Sequence, residues 1–194
     1  MSANLFEKVT TVSFEKPPKV SVIMPYHNEG DLLARSLQSV FDQEVDFDVE
    51  IVLIDDCSDL KPKLPSSPRF PIQHLRTTSN VYAGQARNIG IGECHGELIC
   101  FLDSDDEYAA GRLSSAVEFL DQHPEVDFVF CSFYIHRGGP NLQVPQAFED
   151  LFEAPPPPAR GRPAELRWDV VKKYAFHPGC ITARRDLLVH TKFD

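Results

Sequence analysis

The sequence has no apolar run approaching the ~20 residues that span a bilayer, and the stretch from Met1 to Lys19 has no apolar core of signal-peptide length. It has no CxxC pair and no Cys/His spacing of a zinc site. Its five cysteines, Cys57, Cys94, Cys100, Cys131 and Cys180, are an odd number. Three of them (Cys57, Cys100, Cys131) sit in or beside apolar runs, where cysteine behaves as a small buried hydrophobe. Free thiols in a reducing compartment are therefore expected, rather than a disulfide scaffold. Basic charge is also scarce: 19 Lys/Arg stand against 29 Asp/Glu, a formal net charge of −10. Nucleic-acid affinity rests on basic contacts to phosphate, so no nucleic-acid partner is expected. No internal repeat is visible.

What remains is a soluble globular chain. At 194 residues, with 42% apolar and 25% charged residues, it has the size and balance of one domain that buries a core without disulfides. The charge is uneven. Residues 1–158 hold 11 Lys/Arg against 25 Asp/Glu, and residues 159–194 hold 8 against 4. An acidic body with a basic end suits joint handling of a metal and an anionic ligand, and equally a solvated surface of mixed charge.

Strand and helix signals alternate along the first 134 residues. Residues 1–18 read as an arm closed by Pro17-Pro18, with a short strand around Val9 to Phe14. Val20 to Pro25, Glu50 to Asp55 and Leu98 to Asp103 are short apolar runs, the pattern of strands buried on both faces. Ile72–Arg76 and Asp127–Tyr134 add further strands. Helices are expected over 31–43, 84–92 and 112–122; the last carries Leu113, Ala116, Val117 and Leu120 on one face. Residues 60–71 hold four prolines and read as loop. This order predicts an α/β protein, three layers α/β/α around a mostly parallel central sheet. Residues 137–163 read as a Pro-rich surface excursion, followed by a helix through Leu166 to Tyr174.

In open parallel sheets, ligands bind beyond the carboxyl ends of the strands. Pro25, Tyr26, His27, Asn28 and Glu29 follow the first buried run; Asp55, Asp56, Ser58 and Asp59 follow the second. Asp103, Ser104, Asp105, Asp106 and Glu107 follow the run at 98–102. Carboxylates gathered at one rim repel one another unless a cation intervenes. Oxygen ligands suit Mg²⁺ or Mn²⁺. The competing reading is that these acids cap turns and helices.

Four blocks stand in order: VSVIMPYHNE (Val20 to Glu29), EIVLIDDCSD (Glu50 to Asp59), NVYAGQARNIG (Asn80 to Gly90) and GELICFLDSDD (Gly96 to Asp106). Together they resemble a family-2 glycosyltransferase with the nucleotide-sugar-binding, Rossmann-like GT-A fold. The resemblance spans residues 19–135, and 175–194 more loosely, so residues 19–194 are expected to form one GT-A domain. It implies that Pro25, Tyr26, His27, Glu29, Asp55, Asp56, Arg87, Asp103 and Ser104 bind the nucleotide sugar, with Asp56 accepting a hydrogen bond from the base. It implies that Asp103 and Asp105 form an Asp-x-Asp element holding Mn²⁺ or Mg²⁺, with Asp106 beside them. His177-Pro178-Gly179 resembles the acceptor-side loop, which places His177 and Gly179 there.

The implied activity is metal-dependent transfer of a sugar from a nucleotide-diphosphate sugar, a UDP-sugar by expectation, to a hydroxyl with inversion. The acceptor would be a glycan, a lipid-linked saccharide or a small molecule, and the place the cytoplasm or the inner face of a membrane. The family's catalytic base follows a Gly-x-Phe-Asp-Glu-like segment, and the chain ends at Thr191-Lys192-Phe193-Asp194. The base is thus expected beyond Asp194, in a longer enzyme. The alternative is a nucleotide-sugar-binding module that transfers nothing for want of that base. A phosphoacceptor signalling domain also gathers aspartates at strand ends, but wants its acidic pair after the first strand, where Pro-Tyr-His-Asn-Glu stands here.

Overall fold

A computed structural model describes residues 5–66, 68–131 and 177–193, and the backbone of two short strands at 134–135 and 146–147. The elements are β1 (Phe6–Thr10), β2 (Val20–Tyr26), α1 (Leu32–Phe41), β3 (Val49–Asp55), β4 (Ile72–Thr77), α2 (Tyr82–Glu93), β5 (Leu98–Phe101), α3 (Arg112–Gln122), β6 (Phe128–Phe130), β7 (Tyr134–Ile135), β8 (Gln146–Ala147), β9 (Ile181–Arg184) and α4 (Arg185–His190). A single 3-10 turn, Pro178–Cys180, precedes β9.

Seven strands form one sheet in the order β1-β4-β3-β2-β5-β9-β6. The middle four, β4-β3-β2-β5, are parallel. Of these β2, β3 and β5 are the apolar runs, and all seven residues of β2 and all seven of β3 are buried. Alternate residues serve opposite faces of a strand. Val20, Val22 and Met24 of β2 join Leu33, Leu37 and Val40 of α1 and Leu113, Val117 and Leu120 of α3 in one core. Ile23 of β2 joins Val52, Ile54, Leu75, Ile99 and Phe101 under α2 on the other. Helices on both faces make the three layers.

The mostly parallel sheet takes antiparallel strands at its flanks. β1, from the segment read as an arm, pairs antiparallel with β4. β9 inserts between β5 and β6, antiparallel to both. Its four residues, Ile-Thr-Ala-Arg, carry too short an apolar run to register as a strand on their own; the open edges of β5 and β6 define it. The strand expected over 127–134 ends at Phe130, and Tyr134–Ile135 pair instead with Gln146–Ala147 in a separate two-stranded sheet. The helix expected at 166–174 and most of the excursion at 137–163 lie outside the described residues.

The strand order positions the site. From β2 the chain moves one way to β3 and β4, then returns to the other side of β2 as β5. The carboxyl ends of β2 and β5 therefore flank a topological switch point, where a crevice opens between the two connections. β2 also outruns β5: its last β5 partner is Ile23, and Pro25 and Tyr26 extend beyond it. A proline, which lacks a backbone donor, is tolerated where one flanking strand has ended.

Candidate functional site

At the switch point lies a cleft of about 160 Å³ lined by Pro25, Tyr26, His27, Glu29, Asp56, Ala83, Asp103, Ser104 and Asp105. Eight of these were singled out in the sequence; Ala83, on the first turn of α2, was not.

The loops that carry them are cross-braced. His27 Nδ1 donates to the Asp56 carbonyl at 2.7 Å, because a carbonyl can only accept. The His27 backbone N–H is held by Glu29 Oε2 at 2.5 Å. Asn28, with φ 66°, takes up a left-handed conformation that asparagine tolerates. Its Oδ1 accepts from the Asp59 N–H at 2.9 Å, and its own N–H reaches Ser58 Oγ at 3.2 Å. These bonds fasten the loop after β2 to the loop after β3. Burial lifts the Tyr26 hydroxyl above the ordinary phenol range, so it stays a donor.

The adjacent aspartates of β3 part company. Asp55 is fully buried and lies outside the cleft lining. Its carboxylate pairs with Arg76, directly opposite on β4, and accepts the Ser58 N–H at 2.9 Å. Asp56 reaches the cleft, yet its oxygens are heavily engaged. Oδ1 accepts from Thr77 Oγ1 at 2.9 Å and from the Val81 N–H at 2.8 Å; Oδ2 accepts the Tyr82 N–H at 2.8 Å. Asp56 thus caps the start of α2 from a neighbouring strand end, where the helix has orphan donors. Tyr82 needs this hold, since it is 77% exposed and carries a left-handed φ of 66°.

Arg87 is buried on α2 and pairs with Asp103. Its guanidinium also lies 5.7 Å from the Phe193 ring centroid. Phe193 is held by Asn88, which exchanges two bonds of 2.9 Å with its backbone. Arg87 therefore stands behind Asp103, not on the cleft surface.

Ser104 is buried and its carbonyl accepts from Ser36 Oγ at 2.8 Å, which fixes the turn after β5 against α1. Asp105 is exposed at the cleft. Asp103, Asp106 and His177 come together so that one ligand atom from each lies within 4.8 Å of the others. His177 Nε2 stands 3.4 Å from Asp103 Oδ2 and 3.4 Å from Asp106 Oδ2. Its Nδ1 accepts the Gly179 N–H at 3.2 Å, which turns the other face of the ring toward the acids. Burial pushes the Asp106 carboxyl above its usual range; His177 opposes this, and Asp105 and Asp103 add to it. Two carboxylates, one imidazole and a third carboxylate nearby are a donor set that a divalent cation would relieve of its repulsion. Sequence reasoning paired Asp103 with Asp105 and put His177 on the acceptor side. The structure draws Asp106 and His177 into the same cluster as Asp103.

No helix among the described residues is long and apolar enough to cross a membrane.

The family model for glycosyl transferase family 2 matches residues 21–190. Among curated proteins, the chain is 35% identical over 111 residues to the succinoglycan biosynthesis protein ExoO of Rhizobium meliloti, covering 56% of this chain and 32% of that one. Among solved structures, it resembles residues 1–349 of Staphylococcus aureus TarS with a TM-score of 0.59 at 24% identity, covering 88% of this chain and 48% of that one. TarS is described as a poly(ribitol-phosphate) beta-N-acetylglucosaminyltransferase and has also been solved with UDP-GlcNAc. The mannosyltransferase PcManGT of Pyrobaculum calidifontis, solved with GDP-Man and Mn²⁺, matches with a TM-score of 0.51 at 26% identity, over 60% of this chain and 36% of that one. The chain spans about a third of the length of ExoO and less of TarS. Its architecture is the α/β GT-A fold of these enzymes.

Proposed function

The chain belongs to glycosyl transferase family 2, and from that premise we propose that it is the donor-binding domain of a cation-dependent, inverting glycosyltransferase that uses a nucleotide-diphosphate sugar. The observation that carries this reading is the cleft at the β2/β5 switch point, lined by Pro25, Tyr26, His27 and Asp56 and by Asp103, Ser104 and Asp105, with Asp103 shared between it and the cluster it forms with Asp106 and His177. Relatives solved with UDP-GlcNAc and with GDP-Man and Mn²⁺ share that fold.

In this reading Pro25, Tyr26, His27 and Asp56 line the nucleoside side, and Asp103 and Ser104 the ribose and phosphate side. Asp103, Asp106 and His177 would hold Mn²⁺ or Mg²⁺, with Asp105 facing the diphosphate. A cation held by these residues would supply charge neutralisation to the departing nucleoside diphosphate. The protein's own part is positional. The braced loops fix the nucleotide, and Arg87 holds Asp103 in place. The acceptor hydroxyl attacks the anomeric carbon opposite the leaving phosphate, which inverts that centre. Its proton passes to a general base. Gly179 shapes the turn that presents His177. The acceptor is a saccharide or related hydroxyl compound, and five free cysteines support a reducing compartment on the cytoplasmic side.

The test is release of nucleoside diphosphate from UDP- and GDP-sugars by the full-length enzyme with Mn²⁺, set beside Asp105→Ala. Asp105 is exposed and makes little core contact, so the variant should keep its thermal midpoint and lose at least tenfold in cation-dependent turnover. Undiminished turnover in Asp105→Ala contradicts the role given to that residue. No release from any sugar nucleotide, by a folded protein that still binds the diphosphate, would mark a binding module.

A further inference from the structure

Away from the cleft, β6 and β9 end in facing cysteines. The register Phe128↔Ala183, Val129↔Thr182, Phe130↔Ile181 continues to set Cys131 opposite Cys180. The Cys131 N–H donates to the Cys180 carbonyl at 3.0 Å. One N–H···O bond thus joins the two residues directly, and residues facing each other across an antiparallel pair have Cα atoms about 4.5–5.5 Å apart. Disulfides need roughly 4.4–6.8 Å.

Arg112, at the start of α3, adjoins the two thiols. Its Nη1 donates to Thr182 Oγ1 at 2.8 Å, and its guanidinium lies 5.5 Å from the Tyr108 ring centroid. Its Nε and Nη2 are buried and have no hydrogen-bond partner among the described residues. Among the described residues, the groups that act on its charge are Cys100, Tyr108, Cys131 and Cys180, none of them a carboxylate. Burial pushes Tyr108 and Cys100 up, away from ionisation. Cys131 moves down, through the Cys180 thiol beside it and then through Arg112, against its burial. A buried guanidinium with unanswered donors is costly, and a Cys131 thiolate is the charge that offsets it. Cys131 is also half-buried, whereas Cys94, Cys100 and Cys180 are buried.

We propose that Cys131 is a site of reversible oxidation by hydroperoxides, with Cys180 as its resolving thiol. The Cys131 thiolate attacks the terminal peroxide oxygen, the O–O bond breaks, and the alkoxide or hydroxide leaves and takes a proton. The product is a sulfenic acid on Cys131. The Cys180 sulfur then attacks that sulfur, the S–O bond breaks, and water leaves with the Cys180 proton. Two thiols have given two electrons to one peroxide, and a cellular dithiol reverses the change. The bond ties the end of β6 to the turn that follows His177, whose carbonyl already accepts the Cys180 N–H at 3.0 Å.

Peptide mapping of the reduced protein after brief treatment with hydrogen peroxide tests this, and is read by mass whatever the cleft binds. The expected product is a Cys131–Cys180 linked peptide pair that dithiothreitol removes, while Cys57 stays reduced. Cys180→Ser should stop at a sulfenic acid on Cys131, trapped by dimedone. Arg112→Gln should slow Cys131 oxidation several-fold at pH 7 and move the midpoint of its alkylation rate upward; Arg112→Lys should restore both in part. Absence of the linked pair from the oxidised wild-type protein, or Cys57 oxidising ahead of Cys131, overturns the proposal.

Discussion

Replacing Asp103 with alanine is expected to cost about 3 kcal/mol of stability and to abolish cation-dependent nucleotide binding in the same step. The carboxylate serves two partners. One oxygen pairs with Arg87, which is only 7% exposed and whose Nε has no hydrogen-bond partner among the described residues. The other stands 3.4 Å from His177 Nε2 within the acidic cluster. Removing one member of a buried pair strands the other charge, which costs roughly 3–5 kcal/mol; the low end applies here because the Asp103 side chain keeps 23% exposure. The two effects can be separated. Asp103→Ala combined with Arg87→Met removes the stranded charge and should recover most of the stability without recovering binding. Urea unfolding and calorimetry on the same three proteins read both quantities. Recovery of binding in the double variant would mean that Asp103 acts only by restraining Arg87.

Asp56→Ala is expected to be nearly as damaging, about 3 kcal/mol, for a different reason. Asp56 is 3% exposed and holds a threonine hydroxyl and two backbone N–H groups at the start of α2. Each buried donor left without a partner costs about 1–3 kcal/mol. Asn80 Oδ1, 3.0 Å from the Tyr82 N–H, offsets part of one loss. Asparagine should not rescue the site, since its NH₂ would meet a donor where the structure needs an acceptor. Ala83 would lose its anchor, so nucleotide affinity should fall along with stability. An Asp56 that served only the nucleotide base would behave otherwise: Asp56→Asn would keep its unfolding midpoint and change only which nucleotide binds.

Much of this arrangement is legible in the sequence. Strands buried on both faces need unbroken apolar runs, and β2, β3 and β5 announce themselves that way. α3 spans the same residues, 112–122, that its one-sided apolar spacing predicts. The chemistry at the strand ends follows from the same runs, since each stops at its polar rim residues. Less legible is which of two adjacent acids serves the site. Asp55 and Asp56 point to different surroundings because Asp55 is the last paired residue of β3, directly across from Arg76. That register becomes visible only once β4 is aligned with β3. His177 is harder still. It joins Asp103 and Asp106 across 71 or more residues of chain, and the strand that delivers it, β9, exists only because β5 and β6 flank it.

The most direct measurement is a calorimetric titration of the protein with UDP, GDP, dTDP and CMP, each with and without Mn²⁺. A cleft that joins a nucleoside wall to a cation cluster should bind one nucleoside diphosphate at least tenfold more tightly when Mn²⁺ is present. Binding that is equally tight without the ion, or no binding of any nucleotide by the folded protein, would contradict the assignment of the β2/β5 cleft as a cation-dependent donor site.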